Sequence, residues 1–389
     1  MPLAIVSVTN DLTTDQRVDR TCRTLVKAGY DVLLVGRKRR ISIPLRPRPY
    51  RTKRMRLVFD KGPFFYAEYN FRLFWYLLFH QYELIVSNDL DTLAANYLAN
   101  RVKRSLSKIR NPKFEIRNPK SEIRHLHDCH EYFRGVPELN GRNKVLRVWK
   151  WIEDRIFPSL GMVMAVNRSV ADLYGKEYGK RIEVIRNVPF RKPASGKTGK
   201  SSFGIRDDRK IILYQGAVNV GRGIEEAILA MKHVKTNALL VIAGIGDLYD
   251  KLKEFPVQAG VAEKVRFMGQ VPLEELHSLT SAADIGLSIE KDISVNYRYC
   301  LPNKFLDYIQ AGVPVLVSPF PEMKGIVDHY MIGEFIGGHD PAGLALHMDS
   351  MLSDKEKLAI YRRNLEKAAE ELCWENEEPK LLKIVTRDG

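Results

Sequence analysis

The sequence predicts an α/β protein with two Rossmann-like, doubly wound domains that face a central cleft. Short apolar runs, typical of buried strands, alternate with helix-like runs along most of the 389 residues. This alternation occurs in two successive series of similar length, and a polar, Gly/Ser-rich segment separates them. Two such series indicate two parallel sheets, and ligands of such sheets bind outside the carboxyl ends of the strands.

The first series predicts an N-terminal domain over 1–190. Its opening apolar run predicts a buried strand at 3–8, and a helix follows over 16–28, where Gly29 ends it. Further strands are predicted at 31–35, 84–87, 123–127, 162–166 and 182–185.

The second series predicts a C-terminal domain over 204–372, after a linker at 191–203 that is rich in Gly, Ser and Lys. The chain beyond 355 is predicted to be helical, with a break near Cys373. The other predicted elements are strands at 210–214, 239–243, 265–267, 285–288 and 314–318, and helices at 224–233, at 274–282 and from Asn303 onward.

A tandem repeat of seven residues, at 109–115 and 116–122, interrupts the first series. Each copy contains Asn-Pro, and proline prevents a continuous helix because it lacks the backbone N–H and restrains the residue before it. We interpret 105–124 as a surface insertion without function in a helix-to-strand connection. Binding of a partner by this segment is the alternative.

The net charge of +15 is concentrated near the N-terminus. Ten Lys or Arg and no acidic residue lie between Arg37 and Arg56, and an aromatic stretch follows at 64–79. One interpretation is that both segments lie on an anionic membrane surface. The other is a buried helix below a solvated basic loop. Binding of nucleic acid is disfavoured, because no recognisable binding motif accompanies the charge.

The cysteines are far apart and form no C-x-x-C pair, which argues against a zinc site or a disulfide scaffold. The first residues do not have the pattern of a secretory signal, and no run of 18 apolar residues occurs. We therefore expect a cytoplasmic protein, peripheral to the inner face of the membrane if it contacts one. The four cysteines are Cys22, Cys129, Cys300 and Cys373.

The stretch at 300–317 is the most informative of the chain. It predicts a loop, a short helix opened by Asn303 as the N-cap, a stop at Gly312 and an apolar strand. Lys304 lies at the helix start and Asp307 one turn further on, which suits a phosphate with a hydroxyl-bearing sugar beyond it. A capped helix of an ordinary α/β domain is the alternative.

A Gly-rich loop lies between a predicted strand and a predicted helix at 214–228. Gly216, Gly221 and Gly223 permit close approach of a ligand to the backbone, and Arg222 offers paired hydrogen bonds to phosphate oxygens. The spacing is neither that of a P-loop nor that of a dinucleotide fingerprint. A structural turn with a solvated arginine is the alternative.

A second glycine pair, at Gly244 and Gly246, follows another predicted strand. Tyr249 stands where a dinucleotide fingerprint has its third glycine, so NAD binding is disfavoured.

Three histidines and two acidic residues crowd the end of a predicted strand at 125–131. A metal site is disfavoured, because no H-x-x-x-H pair lies on a helix face, and an imidazole at a cleft edge that forms hydrogen bonds or transfers protons is favoured. Other polar residues at strand-to-helix turns either line the same cleft or cap helices. They are Asp15, Arg17, Arg20, Asn88, Asp89 and Asp91.

These blocks together resemble the family 4 glycosyltransferases, which have the GT-B fold and bind the donor mainly in the second domain. The stretch 301–315 is similar to the donor-binding helix of the family, and Arg222-Gly223 to its Lys-Gly pair. The stretch 127–131 resembles the D-x-H-E segment of its first domain. Residues 374–376 stand where a C-terminal helix of the family, here 373–389, returns to the first domain.

The sequence also departs from the family pattern. Of the two glutamates usually separated by seven residues, the first position is Tyr299 and the second is Asp307. Ala217 stands where an arginine usually follows the first glycine of the loop, and 9–11 replaces the usual Gly-Gly of the first turn.

The resemblance implies a retaining glycosyltransferase that uses a nucleotide-diphosphate sugar, with no bound metal or cofactor and no protein nucleophile. Its acceptor would be a glycan or a lipid-linked glycan bound on the N-terminal side. A catalytically silent sugar-binding scaffold and a sugar-nucleotide epimerase are the alternatives. The expected catalytic residues are His130, Arg222 and Lys304, the donor-binding residues are Gly216, Asn219, Gly221, Gly223, Gly244, Asn303 and Asp307, and the acceptor-side residues are Asp15, Arg17, Asp89 and Glu131.

Overall fold

The computed structural model describes residues 1–13, 15–40, 42–110, 123–192 and 199–386. The chain divides into two compact units. Unit 1 contains Met1–Asn187 and Glu377–Gly389, and unit 2 contains Val188–Asn376. Each unit contains one sheet in which all neighbouring strands are parallel, so the predicted α/β class with two Rossmann-like domains is confirmed.

The sheet of unit 1 has the strand order β3-β2-β1-β4-β5-β6-β7. The order reverses between β1 and β4, and the central strands are apolar and buried because helices cover both faces of a parallel sheet. The strands are β1 Leu3–Ser7, β2 Asp31–Lys38, β3 Arg51–Arg56, β4 Leu84–Asn88, β5 Arg124–Cys129, β6 Met162–Ala165 and β7 Glu183–Val184.

The helices of unit 1 include the end of the chain. Thr24 Oγ1 donates to Glu378 Oε1 at 2.9 Å, and the Tyr30 hydroxyl donates to the carbonyl of Val385 at 3.1 Å. These bonds fix the last helix against the first helix and the second strand. The helices are α1 Gln16–Lys27, α2 Gly62–Phe79, α3 Leu90–Arg110, α4 Asn143–Ile156 and α5 Arg168–Tyr178, and the last helix, called α14, is Trp374–Val385.

The end of the basic segment forms a strand that the sequence analysis missed. Arg51–Arg56 pairs in parallel with β2 as the edge strand β3, so the expectation of a basic loop is wrong for these residues. Apart from Met55, its side chains are largely exposed, and the segment lacks the apolar pattern of a strand. Charged side chains are typical of edge strands, which they protect from pairing with other chains.

The sheet of unit 2 has the strand order β10-β9-β8-β11-β12-β13, with the reversal between β8 and β11. The short strand β13 was not predicted. The strands are β8 Lys210–Gln215, β9 Ala238–Ala243, β10 Val265–Gly269, β11 Ile285–Ser288, β12 Val315–Val317 and β13 Gly333–Phe335.

The helices of unit 2 cover both faces of this sheet, and one of them packs unusually closely. A Cβ at Gly286 of β11 would lie 2.6 Å from the ring of Tyr308, so only glycine permits this approach. The helices are α6 Ile224–Ala230, α7 Tyr249–Gln258, α8 Leu273–Ser281, α9 Val295–Arg298, α10 Asn303–Gln310, α11 Pro321–Tyr330, α12 Pro341–Ser353 and α13 Lys355–Glu371.

Parts of two predicted segments lie outside the described residues. The predicted repeat insertion begins within α3, which ends at Arg110, and β5 begins at Arg124. Residues 111–122 of the repeat and 193–198 of the predicted linker are not described. Among the helices that are described, none combines the length and the hydropathy required to cross a bilayer.

Tyr308 ties α10 to the middle of the sheet, and its removal tests this packing. Its buried hydroxyl accepts from the backbone N–H of Gln215 at 3.1 Å and donates to the carbonyl of Leu213 at 3.0 Å. Tyr308→Phe should lower the free energy of unfolding by about 1–2 kcal/mol, because buried partners are left unsatisfied. Denaturant unfolding measures this change.

Tyr330→Phe is the matched control, since its hydroxyl donates to Glu371 at the surface of the same unit. It should cost less than about 0.5 kcal/mol. Equal stability of the two variants would contradict the structural role of Tyr308.

Candidate functional site

The Gly-rich loop follows β8 at the point where the strand order of unit 2 reverses. Gly223 has φ +73°, and a Cβ there would lie 2.4 Å from the carbonyl oxygen of Ile289. Glycine is therefore required for the loop to lie against the chain that follows β11. This contact places Arg222 beside the carboxyl end of β11, where ligands of such sheets bind.

The other predicted donor-binding glycines lie where the loops after β8 and β9 meet. Gly244 has φ +147°, and a Cβ there would lie 1.9 Å from the carbonyl oxygen of Gly216. Asn219 Oδ1 accepts from the backbone N–H of Asp247 at 3.0 Å. The loops after β8 and β9 are thus held against each other, and the donor-binding roles of Gly216, Asn219 and Gly244 stay predictions. Gly221 has φ +78° and packs against Ile293.

Lys304 and Arg222 converge on one buried carboxylate, that of Glu290. Lys304 Nζ donates to Glu290 Oε1 at 2.6 Å, and Arg222 Nη1 lies 3.5 Å from the same oxygen. The two cations come from α10 and from the Gly-rich loop, which are far apart in the sequence. Each also lies over an aromatic ring, Lys304 over Tyr214 and Arg222 over Tyr297.

The carboxylate of Glu290 and each of the two cations stabilise one another inside the protein. Burial opposes the charged form of each group, but the Glu290 carboxylate raises the pKa of Lys304 above its ordinary value. In the same way, Lys304 and Arg222 hold the pKa of Glu290 below its usual range despite burial. All three groups are therefore charged at neutral pH, and the site carries a net charge of about +1.

The start of α10 differs from the prediction at one residue. Pro302, not Asn303, occupies the N-cap position, and no side chain caps the helix. Asn303 is the first helical residue, so its predicted capping role is wrong, and its role in donor binding stays a prediction. Asp307 lies one turn further on and accepts from Gln215 Nε2 at 3.1 Å, which fixes this carboxylate next to β8.

In unit 1, a second cluster lies at the carboxyl ends of β4 and β5. His130 Nε2 lies 3.1 Å from Asp128 Oδ2 and 3.0 Å from Asn88 Oδ1. The backbone N–H of His130 donates to Asp89 Oδ1 at 2.8 Å. Asp89 has φ +56°, a conformation in which it reaches back to the residue that follows β5. The structure thus brings the predicted His130 and Asp89 together.

The charge of His130 follows from these carboxylates. Burial of the imidazole opposes its charged form, but Asp89 and Asp128 raise the pKa of His130 to about 10. Arg17 and His130 hold the pKa of Asp128 well below its usual range, again against the effect of burial. The imidazole is therefore a cation at neutral pH. In this form both ring nitrogens are hydrogen-bond donors, and neither can accept a proton as a general base.

The remaining predicted acceptor-side residues have different environments. Arg17 is buried, donates to both carboxylate oxygens of Asp128, and also donates to the carbonyl of Ile185 at 2.6 Å. Asp15 caps α1 by accepting from the N–H of Val18. Glu131 is partly exposed next to His130. Arg17 and Asp15 therefore support the fold around His130, and their contact with an acceptor stays a prediction.

The two other histidines of this segment do not form a metal-ligand set. His125 Nε2 and His127 Nδ1 lie 2.8 and 3.0 Å from the hydroxyl of Ser87. Burial lowers the pKa of His125 to about 3 and that of His127 to about 4, so both are neutral. Over the part of the chain that the structure describes, no three His, Cys, Asp or Glu side chains are grouped as metal ligands.

Two family models match almost the whole chain. The model described as Glycosyltransferase Family 4 matches residues 15–188, and the model described as Glycosyl transferases group 1 matches residues 197–371. The chain belongs to the family 4 glycosyltransferases. The predicted family is thus confirmed.

Curated relatives of this family 4 chain match it over part of their length. An uncharacterized glycosyltransferase of Methanocaldococcus jannaschii is 32% identical over 182 residues, which are 46% of this chain and 45% of the relative. The alpha-monoglucosyldiacylglycerol synthase of Streptococcus pneumoniae is 25% identical over 186 residues, 47% of this chain and 41% of the relative. The chain thus spans about half the length of the curated relatives it matches.

The family 4 chain also shares its fold with solved structures. The Anabaena protein HepE in complex with UDP-glucose is 13% identical and has a TM-score of 0.72, with 98% of this chain and 99% of that chain covered. The solved glycosyltransferase WaaG has the same architecture, with 15% identity and a TM-score of 0.71. At such identity the likeness shows the fold alone, and that fold is GT-B, as predicted.

Sequence reasoning missed Glu290, the residue on which both predicted cations converge. The predicted strand at 285–288 ends two residues before it. Ligands of parallel sheets bind just beyond the carboxyl ends of the strands, so the position of this glutamate, two residues after a predicted strand, could have marked it as a site residue. Gln215, which holds Asp307, was missed as well, because nothing in the sequence pairs it with α10.

The ion cluster of His130 predicts a pH-dependent contribution to stability. Its folded-state pKa of about 10 lies above the unfolded value of roughly 6.5. The contribution is therefore fully present below about pH 6.5 and is lost as the pH rises through about 10. His130→Gln should lower the free energy of unfolding by on the order of 2 kcal/mol at pH 6 and by much less at pH 10.5.

Thermal unfolding at both pH values measures this difference. The control is His329→Gln, on the exposed surface of α11, for which the difference from the native protein should be small at both pH values. A destabilisation by His130→Gln that is equal at pH 6 and pH 10.5 would refute a charged imidazole.

Proposed function

We propose that this family 4 chain transfers a sugar from a nucleotide-diphosphate sugar to a glycan or lipid-linked acceptor, with retention at the anomeric carbon and without a bound metal. The observation that carries the proposal is the convergence of Arg222 and Lys304 at the carboxyl edge of the sheet of unit 2. Solved HepE binds UDP-glucose, which supports a sugar nucleotide as the donor.

Arg222 and Lys304 have hydrogen-bonding capacity left for a phosphate. Lys304 has three N–H donors, and Glu290 accepts one of them. Among the residues that the structure describes, no acceptor lies within hydrogen-bonding distance of the buried Arg222 Nε. A buried guanidinium N–H without an acceptor is costly, and a phosphate oxygen would remove that cost.

In the proposed reaction the bond between the anomeric carbon and the diphosphate oxygen breaks, and a bond from the acceptor oxygen to the anomeric carbon forms on the same face. The proton of the acceptor hydroxyl passes to an oxygen of the leaving diphosphate. Negative charge develops on the leaving nucleoside diphosphate, and Arg222 and Lys304 stabilise it. Asp307 accepts from the ribose hydroxyls of the donor. His130, as a cation, donates a hydrogen bond to the transferred sugar or orients the acceptor.

Removal of either phosphate-binding cation tests this assignment. Arg222→Ala and Lys304→Ala should each lower turnover by roughly 100-fold or more, because a preorganised group that stabilises the leaving charge is lost. The donor is first identified by thermal stabilisation with a panel of nucleotide sugars. Release of nucleoside diphosphate then measures turnover, with or without an acceptor.

Lys357→Ala is the matched control, since this lysine pairs with Glu334 on β13 and not with Glu290. It should retain native turnover. Native transfer or donor hydrolysis by the Arg222 and Lys304 variants would refute the site. Conversion of the donor to an epimer, or binding of sugars with no turnover, would refute transfer itself.

We also propose that unit 1 lies on an anionic membrane surface at its cytoplasmic face, where a lipid-linked acceptor would be bound. Along α2, Phe65, Tyr69, Leu73 and Leu77 are buried, and the opposite face is aromatic and exposed. The lipid-synthesising relative from Streptococcus pneumoniae supports such an acceptor. The exposed aromatic face consists of Phe64, Phe71, Trp75 and Phe79, which are 43–77% exposed.

The residues next to this face add charge and further apolar surface. Arg51, Lys53 and Arg56 of the edge strand β3 are exposed, and the connection from β3 to α2 exposes Val58 and Phe59. Exposed aromatic side chains beside exposed cations are typical of surfaces that bind anionic lipid interfaces. The same composition is unfavourable for a face that contacts only water.

Vesicle flotation tests the membrane proposal. The native protein should float with vesicles that contain phosphatidylglycerol and much less with phosphatidylcholine alone, and high salt should weaken binding. Phe71→Ser with Trp75→Ser should reduce binding by about 30-fold, because each aromatic group contributes roughly 1 kcal/mol on burial. The control is Leu346→Ser, an exposed apolar residue of unit 2. Flotation that is independent of lipid charge and of both aromatic substitutions would remove the proposal.

A further inference from the structure

Glu290 is a fully buried carboxylate that the proposed reaction does not use directly. It lies two residues after β11, and its side chain has 0% exposure. Glu290 Oε2 accepts from the hydroxyl of Ser288 at 2.9 Å, and Glu290 Oε1 accepts from Lys304 Nζ at 2.6 Å. Arg222 Nη1 lies 3.5 Å from Oε1. Both proposed phosphate-binding cations therefore share one carboxylate oxygen.

The environment of Lys304 would not favour an ammonium without this partner. The side chain is 7% exposed, its Nζ lies 4.3 Å from the centroid of the Tyr214 ring, and its Cε packs against Gly216. A buried amine loses its proton at lower pH unless an opposite charge offsets the cost of desolvation. A neutral Lys304 would contribute little to binding a phosphate.

Among the described residues that act most strongly on this pair, one is an anion at neutral pH. Lys304 faces Glu290, Arg222 and the phenol of Tyr214, and Arg222 opposes its charge. Arg222 faces Glu290, Tyr214, Tyr297 and Cys300. Burial raises the pKa of the Cys300 thiol to about 12, so the thiol is neutral. Among these groups, Glu290 alone favours the charged form of Lys304 across pH 7–9.

The backbone around Glu290 is held by surrounding elements. Ser318 Oγ, directly after β12, donates to the carbonyl of Glu290 at 2.6 Å. The carbonyl of Ile289 lies 3.0 Å from His339 Nε2 and is also the atom that requires glycine at 223. The carboxylate therefore sits on a rigid support, and it fixes the directions of two side chains that come from other elements.

We propose that Glu290 is a positioning residue of the donor site: it keeps Lys304 charged, and it holds Lys304 and Arg222 directed at the position of the leaving pyrophosphate. This inference rests on the proposed function. The carboxylate cancels one of the two positive charges, and a net positive site with free N–H donors remains for an anionic diphosphate. Glu290 contacts the two cations and acts on the donor only through them.

The test is the pH dependence of nucleoside-diphosphate binding by Glu290→Gln. The probe is UDP or GDP, whichever raises the melting temperature of the native protein, and calorimetry measures Kd from pH 7 to 10. In the native protein Lys304 stays protonated over this range, so Lys304 should contribute little to the pH dependence of binding. Without the carboxylate Lys304 should lose its proton within the range. The ratio of the Kd of Glu290→Gln to the native Kd should therefore be at least about tenfold larger at pH 9 than at pH 7.

Two further variants show that the effect comes from the charge. Glu290→Asp keeps a carboxylate and should keep the native pH dependence, even if its affinity is lower overall. Glu334→Gln removes a glutamate of β13 that pairs with Lys357, and it should leave the affinity and its pH dependence unchanged. In Glu290→Gln with Lys304→Arg, binding at pH 9 should recover, because arginine stays protonated without a partner.

Native pH dependence in Glu290→Gln would overturn the inference. If Arg222→Ala and Lys304→Ala lose binding in the same assay, the proposed function survives that result. If neither variant loses binding, both proposals fail together.

If Glu290→Gln does not fold, NMR titration of methylated lysines in the native protein replaces it. The Lys304 signal is assigned by its absence in Lys304→Arg. A pKa of Lys304 at or above the ordinary value of about 10.4 supports the inference, and a value below about 9 overturns it.

Discussion

The ion pairs of Glu290 are the interaction on which the proposed donor site depends. Lys304 and Arg222 come from α10 and from the loop after β8, and without a carboxylate between them their charges would repel each other. Loss of one partner from a buried pair typically costs about 3–5 kcal/mol. The two cations are thus fixed by the fold before any ligand arrives, which is the condition for strong electrostatic stabilisation of a leaving group.

Unit 1 repeats this arrangement with different residues. Asp128, at the end of β5, is a buried carboxylate that accepts from Arg17 and lies 3.1 Å from Nε2 of His130. In both units a carboxylate at the carboxyl edge of a parallel sheet holds two cationic groups from other elements. The desolvated carboxylate favours the charged form of Lys304 in unit 2 and of His130 in unit 1.

The sequence predicted those parts of the fold that have a local pattern. The apolar runs of β1, β4, β8 and β11 predicted buried parallel strands, and glycines marked the loop that follows β8. Strand β3 was not predicted, because four of its six residues are charged and its strand conformation depends on pairing with β2. Strand β13 has only three residues, too few for a pattern to be recognised.

The site could be predicted only in part, for a similar reason. Arg222, Lys304 and Asp307 belong to stretches with a recognisable spacing, whereas Glu290 acquires its role only when three separate segments meet. The predicted cap at Asn303 failed because Pro302 stands before it and takes the capping position.

A crystal structure of the protein with UDP or GDP bound tests the central claim most directly. Diphosphate oxygens within hydrogen-bonding distance of Arg222 and Lys304, with Glu290 still in contact with both, would agree with the account. Diphosphate bound elsewhere, or either cation turned away from it, would contradict the account.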